Sequence, residues 1–146
     1  MGRRILLLDD DRRTLEVAGH FLRGRGYEVE SFWNPREALA AARKGAFDAV
    51  VTDVVLSGMD GFEFCRELKA DPSTAGLPVL FASAKVEVAD LFLKHFHGRA
   101  DFLRKPYPRE ELEARLIRLL TPPRGKSPAD KPPAKLPKPA VPGGRR

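Results

Sequence analysis

ILLLDDD, Ile5 to Asp11, decides the fold: four consecutive apolar residues run directly into three consecutive acids. A continuous apolar run of this length, bounded by polar residues, suits a strand buried on both faces of a parallel sheet. The acids then fall at the carboxyl end of that strand, which is where open α/β sheets bind ligands. The texture recurs in FDAVVTD, Phe47 to Asp53, where the run again ends on an acid. PVLFAS (Pro78 to Ser83) and DFL (Asp101 to Leu103) repeat the apolar part. YEVESFW, Tyr27 to Trp33, alternates charged with apolar residues and reads as an edge strand.

Helical stretches lie between these runs. Asp11 is placed to N-cap a first helix in which Leu15, Ala18 and Leu22 share one face, ending near Gly24 or Gly26. Asn34-Pro35-Arg36-Glu37 offers a cap, a proline at the first position and an acid in the first turn, and that Ala-rich helix stops at Gly45. Phe62 to Lys69 is closed by Asp71-Pro72, and Val86 to Phe96 and Arg109 to Leu120 supply two more. Strand and helix thus alternate five times. That alternation implies βαβ units and a doubly wound parallel sheet, (βα)5, and right-handed crossovers put helices on both of its faces.

The net charge of +6 on 146 residues suggests a nucleic-acid partner until it is located. From Thr121 onward there are seven Lys or Arg and one Asp, which leaves 19 basic and 19 acidic residues in 1–120. The expected folded unit is therefore neutral, and the excess belongs to 121–146. Eight of those 26 residues are Pro and none is aromatic, so that segment is expected to be a disordered basic tail. Its spaced lysines suit a salt-sensitive contact with an acidic partner, or a plain tether. Cys65 stands alone, which excludes an intrachain disulfide and a cysteine zinc site, and it reads as a buried apolar residue. The start of the chain carries no signal-peptide pattern, and no apolar run approaches the ~18 residues of a membrane span. A cytoplasmic location is the expectation.

If the strands before these acids are the first and third of a five-stranded sheet of order 2-1-3-4-5, Asp9, Asp10 and Asp11 converge with Asp53 at its switch point. Two carboxylates ~4 Å apart repel by about 4 kcal/mol at an effective dielectric near 20. A pocket that gathers them needs a cation, and an all-oxygen donor set with room for water suits Mg2+ or Mn2+. Lys105 follows the last strand and points over the same edge as a compact positive charge. Ser83 ends the fourth strand with a hydroxyl that can donate to an anionic oxygen.

With these residues in place the sequence closely resembles the receiver domains of two-component response regulators. The markers are ILLLDDD, VVTDVVLSGMDG, FASA and DFLRKPY, with intervals of 43 residues from Asp10 to Asp53, 30 on to Ser83 and 22 on to Lys105. The resemblance covers 1–120 and implies a flavodoxin-like, CheY-like fold. It implies that Asp53 is the phosphoacceptor for a sensor histidine kinase or phosphotransfer protein in a phosphorelay. Asp10 would ligate Mg2+ directly and Asp9 largely through water, with Asp53 and the Val55 carbonyl completing the protein donors. Ser83 matches the switch hydroxyl, Phe102 the switch aromatic, and Lys105 the phosphate-pairing lysine before a cis peptide to Pro106. The output surface is expected over 86–120, reaching an unknown downstream protein. The resemblance implies a switch that catalyses only its own aspartyl phosphorylation and dephosphorylation.

Departures from the pattern are few. Ser57 stands where the family usually has Pro, Ser83 replaces the commoner Thr, and Phe102 lacks a tyrosine's hydroxyl. Val55 brings no polar side chain to a hydrolytic water, so a long-lived phosphoryl group is expected. No DNA-binding or catalytic module is expected after Leu120. A phosphorylation-independent adaptor with the same fold is the alternative. A phosphatase of the Asp-nucleophile type would need an acid where Val55 stands, and a dinucleotide binder would need glycines where the acids of ILLLDDD stand. His20, His95 and His97 lack metal-like spacing to the strand-end acids. Trp33 reads as a local packing residue, and Phe62, Phe64, Phe81, Phe92 and Phe96 as core or half-buried.

Overall fold

In the computed structural model, which describes residues 2–96, 98–121, 140–141 and 143–145, each apolar run forms a strand. They are β1 (Arg4–Leu8), β2 (Glu28–Phe32), β3 (Ala49–Thr52), β4 (Val79–Ser83) and β5 (Ala100–Arg104). All pair in parallel in the order β2-β1-β3-β4-β5, so β2, with its alternating charges, is an edge as its sequence requires. A short separate pairing joins β6 (Ala140–Val141) to β7 (Gly143–Arg145). The expected disorder of the basic tail otherwise falls outside the described residues.

Helices fill both faces because strand side chains alternate sides. Leu6, Leu8, Val50, Val79 and Phe81 point into one cluster with Ala38, Leu39, Phe64 and Leu68. Those helical residues belong to α2 (Pro35–Lys44) and α3 (Gly61–Ala70). Ile5, Leu7, Ala49, Val51 and Leu80 point the other way, onto Leu15, Ala18 and Leu22 of α1 (Arg12–Gly24) and Leu112, Leu116 and Leu119 of α5 (Arg109–Leu120). Each buried leucine contributes about 1.5–3 kcal/mol of transfer free energy. Register is therefore fixed strongly, since a one-residue slip would exchange the two faces.

The caps follow the sequence reading. Asp11 accepts from the Arg13 N–H, and Asn34 accepts from the N–H groups of Arg36 and Glu37. Helix α3 is capped by Asp60, whose side chain accepts from Glu63, and ends at Asp71. Helix α4 (Val86–His95) stops one residue before Phe96, which is buried edge-to-face against Phe81 at 5.7 Å. Phe64 and Phe81 are also buried, while His97 and the side chains of Phe62 and Phe92 fall outside the described residues. Trp33 departs from its expected role. It is 52% exposed, with the Arg12 guanidinium stacked 4.0 Å over its ring.

Candidate functional site

Parallel register decides which residues meet at the carboxyl edge. Leu8 pairs with Thr52, Thr52 with Phe81, and Ser83 with Arg104. The residues that follow these strand ends, Asp9, Asp53 and Lys105, therefore emerge side by side. The backbone fixes the first two further: Asp9 N–H donates to Phe32, and Asp53 N–H to Leu8.

Lys105 links two of the acids. Its Nζ lies 2.6 Å from Asp9 Oδ2 and 2.8 Å from Asp53 Oδ2. Asp53 Oδ1 accepts instead from the Val54 and Val55 N–H groups, at 2.6 and 3.1 Å. The two oxygens of Asp53 are thus differentiated, one tied to the backbone and one facing the ammonium. The peptide between Lys105 and Pro106 is cis.

Burial sets the electrostatics. Asp9 is only 6% exposed, and desolvation raises its pKa above the ordinary aspartate value despite the bonds from Lys105 and the Asp11 N–H that oppose it. Desolvation pulls the other way on Lys105, but its hydrogen bonds to Asp53 and Asp9 prevail and its pKa is raised. The two directions agree physically: one ammonium faces two carboxylates, while Asp9 has that ammonium only as a shared partner. Tyr107, two residues on, is pushed up mainly by desolvation.

Ser83 is buried, and its Oγ accepts from the Lys85 N–H at 3.0 Å; the hydroxyl proton remains a donor. Phe102 is half-buried against the Phe81 side of the sheet. Its flanks are held by Arg115, which donates to the Phe102 carbonyl and pairs with Asp101 at 3.2 Å. Val55 is half-exposed, and Ala84 and Lys85 are exposed beside it in sequence order at the next strand end.

Asp10 stands differently from its neighbours. It is exposed, and both its oxygens are taken by Ser57, from N to Oδ1 at 3.2 Å and from Oγ to Oδ2 at 2.9 Å. Among the described residues no three carboxylate, histidine or cysteine side chains are grouped closely enough to hold a metal ion. Lys105 bonds both Asp9 and Asp53, while Asp10 is bonded by Ser57. The donor chemistry nonetheless fits a hard divalent cation. The candidates Asp9, Asp10, Asp53 and the Val55 carbonyl are all oxygens, the donor type such a cation takes.

Sequence reasoning named Asp9, Asp10, Asp53, Ser83, Phe102 and Lys105 but missed three contacts. Lys105 bonds Asp9 as well as Asp53, Ser57 binds Asp10, and Arg115 fastens the Phe102 backbone. Only Ser57 left a sequence signal, as a polar residue four positions after Asp53.

A doubly wound sheet with two acids and a lysine meeting at its carboxyl edge can be set beside known proteins. Residues 5–117 match the response regulator receiver domain family. The DNA-binding response regulator MtrA of Mycobacterium tuberculosis is 36% identical over 116 residues, covering 80% of this chain and 50% of MtrA. The response regulator MprA of Mycolicibacterium vanbaalenii is 39% identical over 117 residues, with the same coverage. The chain thus spans about half the length of these curated relatives. Among solved structures, the chemotaxis response regulator CheY4 of Vibrio cholerae superposes with a TM-score of 0.76 at 31% identity, covering 82% of this chain and all of CheY4. The receiver domain of the sensor histidine kinase PA1611 from Pseudomonas aeruginosa, described with magnesium coordinated in its active-site cleft, gives a TM-score of 0.74 at 30% identity, covering 82% of this chain and 98% of its own.

The chain belongs to the response regulator receiver domain family of two-component systems. Its fold is the CheY-like five-stranded fold typical of signalling switches. Among the described residues no helix is long and apolar enough to cross a membrane.

Proposed function

We propose that Asp53 accepts a phosphoryl group from the phosphohistidine of a sensor histidine kinase or phosphotransfer protein, and that the chain signals through phosphorylation-dependent protein binding. The observation that carries this reading is the position of Lys105, 2.8 Å from the one Asp53 oxygen that the backbone does not hold. That oxygen, Oδ2, is the nucleophile. Its bond to phosphorus forms as the phosphorus–nitrogen bond to the donor imidazole breaks, and the electron pair leaves with the imidazole. Lys105 then pairs with the new phosphoryl oxygens, and the Ser83 hydroxyl turns to donate to one of them.

Such a transfer involves little covalent chemistry for the protein, so positioning and charge neutralisation dominate. Asp9, Asp10, Asp53 and the Val55 carbonyl would hold Mg2+, which supplies neutralisation of the phosphoryl oxygens. Drawing Ser83 inward leaves space for Phe102 to rotate, which reshapes the surface over 86–120 that a downstream protein reads. The state that phosphorylation favours is populated only by its differential free energy between the two forms. The cytoplasm suits a partner that is a kinase phosphohistidine, and the basic tail, which lies largely outside the described residues, would add a salt-sensitive contact with an acidic partner.

Titration of Trp33 fluorescence with beryllofluoride in the presence of Mg2+ tests the reading. Wild type saturates, and Asp53→Ala does not respond. A response retained in Asp53→Ala, or none in either protein, favours the phosphorylation-independent adaptor.

A further inference from the structure

We propose that Ser57 is a positioning residue that sets the metal affinity of the acidic pocket, because it holds Asp10 away from a cation through the paired bonds from its N–H and hydroxyl. The inference rests on the reading of that pocket as a Mg2+ site.

Asp10 is the second acid after β1, and its carboxylate is bonded by Ser57 whereas those of Asp9 and Asp53 are bonded by Lys105. It reaches across to the loop between β3 and α3. There each oxygen has its own donor from one residue, Ser57 N–H to Oδ1 at 3.2 Å and Ser57 Oγ to Oδ2 at 2.9 Å. The two residues are 47 apart in sequence, and Ser57 lies on the segment that also carries Asp53 and Val55. One clamp therefore ties the end of β1 to the loop that supplies the remaining donors.

The consequence is a competition. Asp10 must give up at least the hydroxyl before it can turn toward Asp9 and Asp53. The measured affinity for a cation is then the intrinsic affinity reduced by the fraction of molecules in which Asp10 is free. A hydroxyl bond to an exposed carboxylate is modest, so the reduction is a few-fold to about tenfold. A residue that merely supported the loop would act in the opposite sense, since loosening the loop scatters the donors and weakens binding.

The test is calorimetric titration of the full chain with MgCl2 at fixed ionic strength, in wild type, Ser57→Ala and Ser57→Thr. Ser57→Ala removes the hydroxyl and is expected to bind Mg2+ about three- to tenfold more tightly. Ser57→Thr keeps a hydroxyl in place and should stay within about twofold of wild type. Equal or weaker binding in Ser57→Ala overturns the clamp while leaving the metal pocket intact. Tighter binding in both variants also overturns it, because the hydroxyl would then not be the cause. Absence of Mg2+ binding in all three proteins overturns the pocket reading and the clamp together.

Discussion

Lys105 Nζ and Asp53 Oδ2 lie 2.8 Å apart across 52 residues of sequence, and the rest of the pocket is organised around that pair. The same ammonium also satisfies buried Asp9, at 2.6 Å. In the proposed transfer Lys105 has two duties: it compensates a desolvated carboxylate beforehand and would face the phosphoryl oxygens afterwards.

Removing that cation tests both duties. Lys105→Ala leaves Asp9 buried without its ion pair, and loss of a charged partner at a buried acceptor costs about 1–3 kcal/mol. Urea denaturation at neutral pH in metal-free buffer should show that loss. Phosphoryl uptake from a small-molecule donor should fall at least tenfold in the same variant, and Lys105→Arg should recover the stability more fully than the uptake, since a planar fork does not reproduce a point charge.

Asn34 supplies the matching control. Its side chain caps α2 through the Arg36 and Glu37 N–H groups, just after the edge strand β2. Asn34→Ala should cost about 1 kcal/mol in urea denaturation. Phosphoryl uptake per folded molecule should be unchanged.

Cys65 is buried, and desolvation pushes its thiol up to about 12 from 9.0. It therefore stays protonated and unreactive to iodoacetamide at pH 8, with labelling appearing only on unfolding. The linkage sign follows: the folded state holds this proton more tightly than the unfolded chain, so its contribution to stability is complete below pH 9.0 and is lost as pH rises toward 12. Cys65→Ala should lack that alkaline loss. Rapid labelling of the folded protein at pH 8 would contradict the burial.

Phosphoryl lifetime depends on who can place a water. Val55 is half-exposed, and its apolar side chain offers no hydrogen bond to an attacking water. Label on isolated protein should persist for minutes or longer, and Val55→Asn should shorten it. Complete loss from wild type within seconds would contradict this.

Much of this architecture was legible because strong local signals carried it. The runs ending at Leu8, Thr52 and Ser83 are apolar on both faces, so they could only be central strands, and the alternating charges of Glu28, Glu30 and their neighbours placed β2 at an edge. Boundaries were less legible. Phe47 and Asp48 precede β3 because Asp48 is spent on the backbone N–H and carbonyl of Arg4, a long-range partner no periodicity reveals. Convergence of Asp9, Asp53 and Lys105 followed from strand order alone. The partition of their contacts did not: Asp10 is bonded by the N–H and the hydroxyl of one loop residue, Ser57, which no periodicity pairs with it. Trp33 escaped for the same reason, since its stacking cation, Arg12, comes from the start of another element.

The most direct measurement of the central claim is intact-mass spectrometry after incubation with acetyl phosphate and Mg2+, followed by hydroxylamine, which cleaves acyl phosphates. Wild type should gain the mass of one phosphoryl group and lose it to hydroxylamine, and Asp53→Asn should gain nothing. A hydroxylamine-resistant adduct, an adduct of equal yield on Asp53→Asn, or no adduct on wild type would contradict the account.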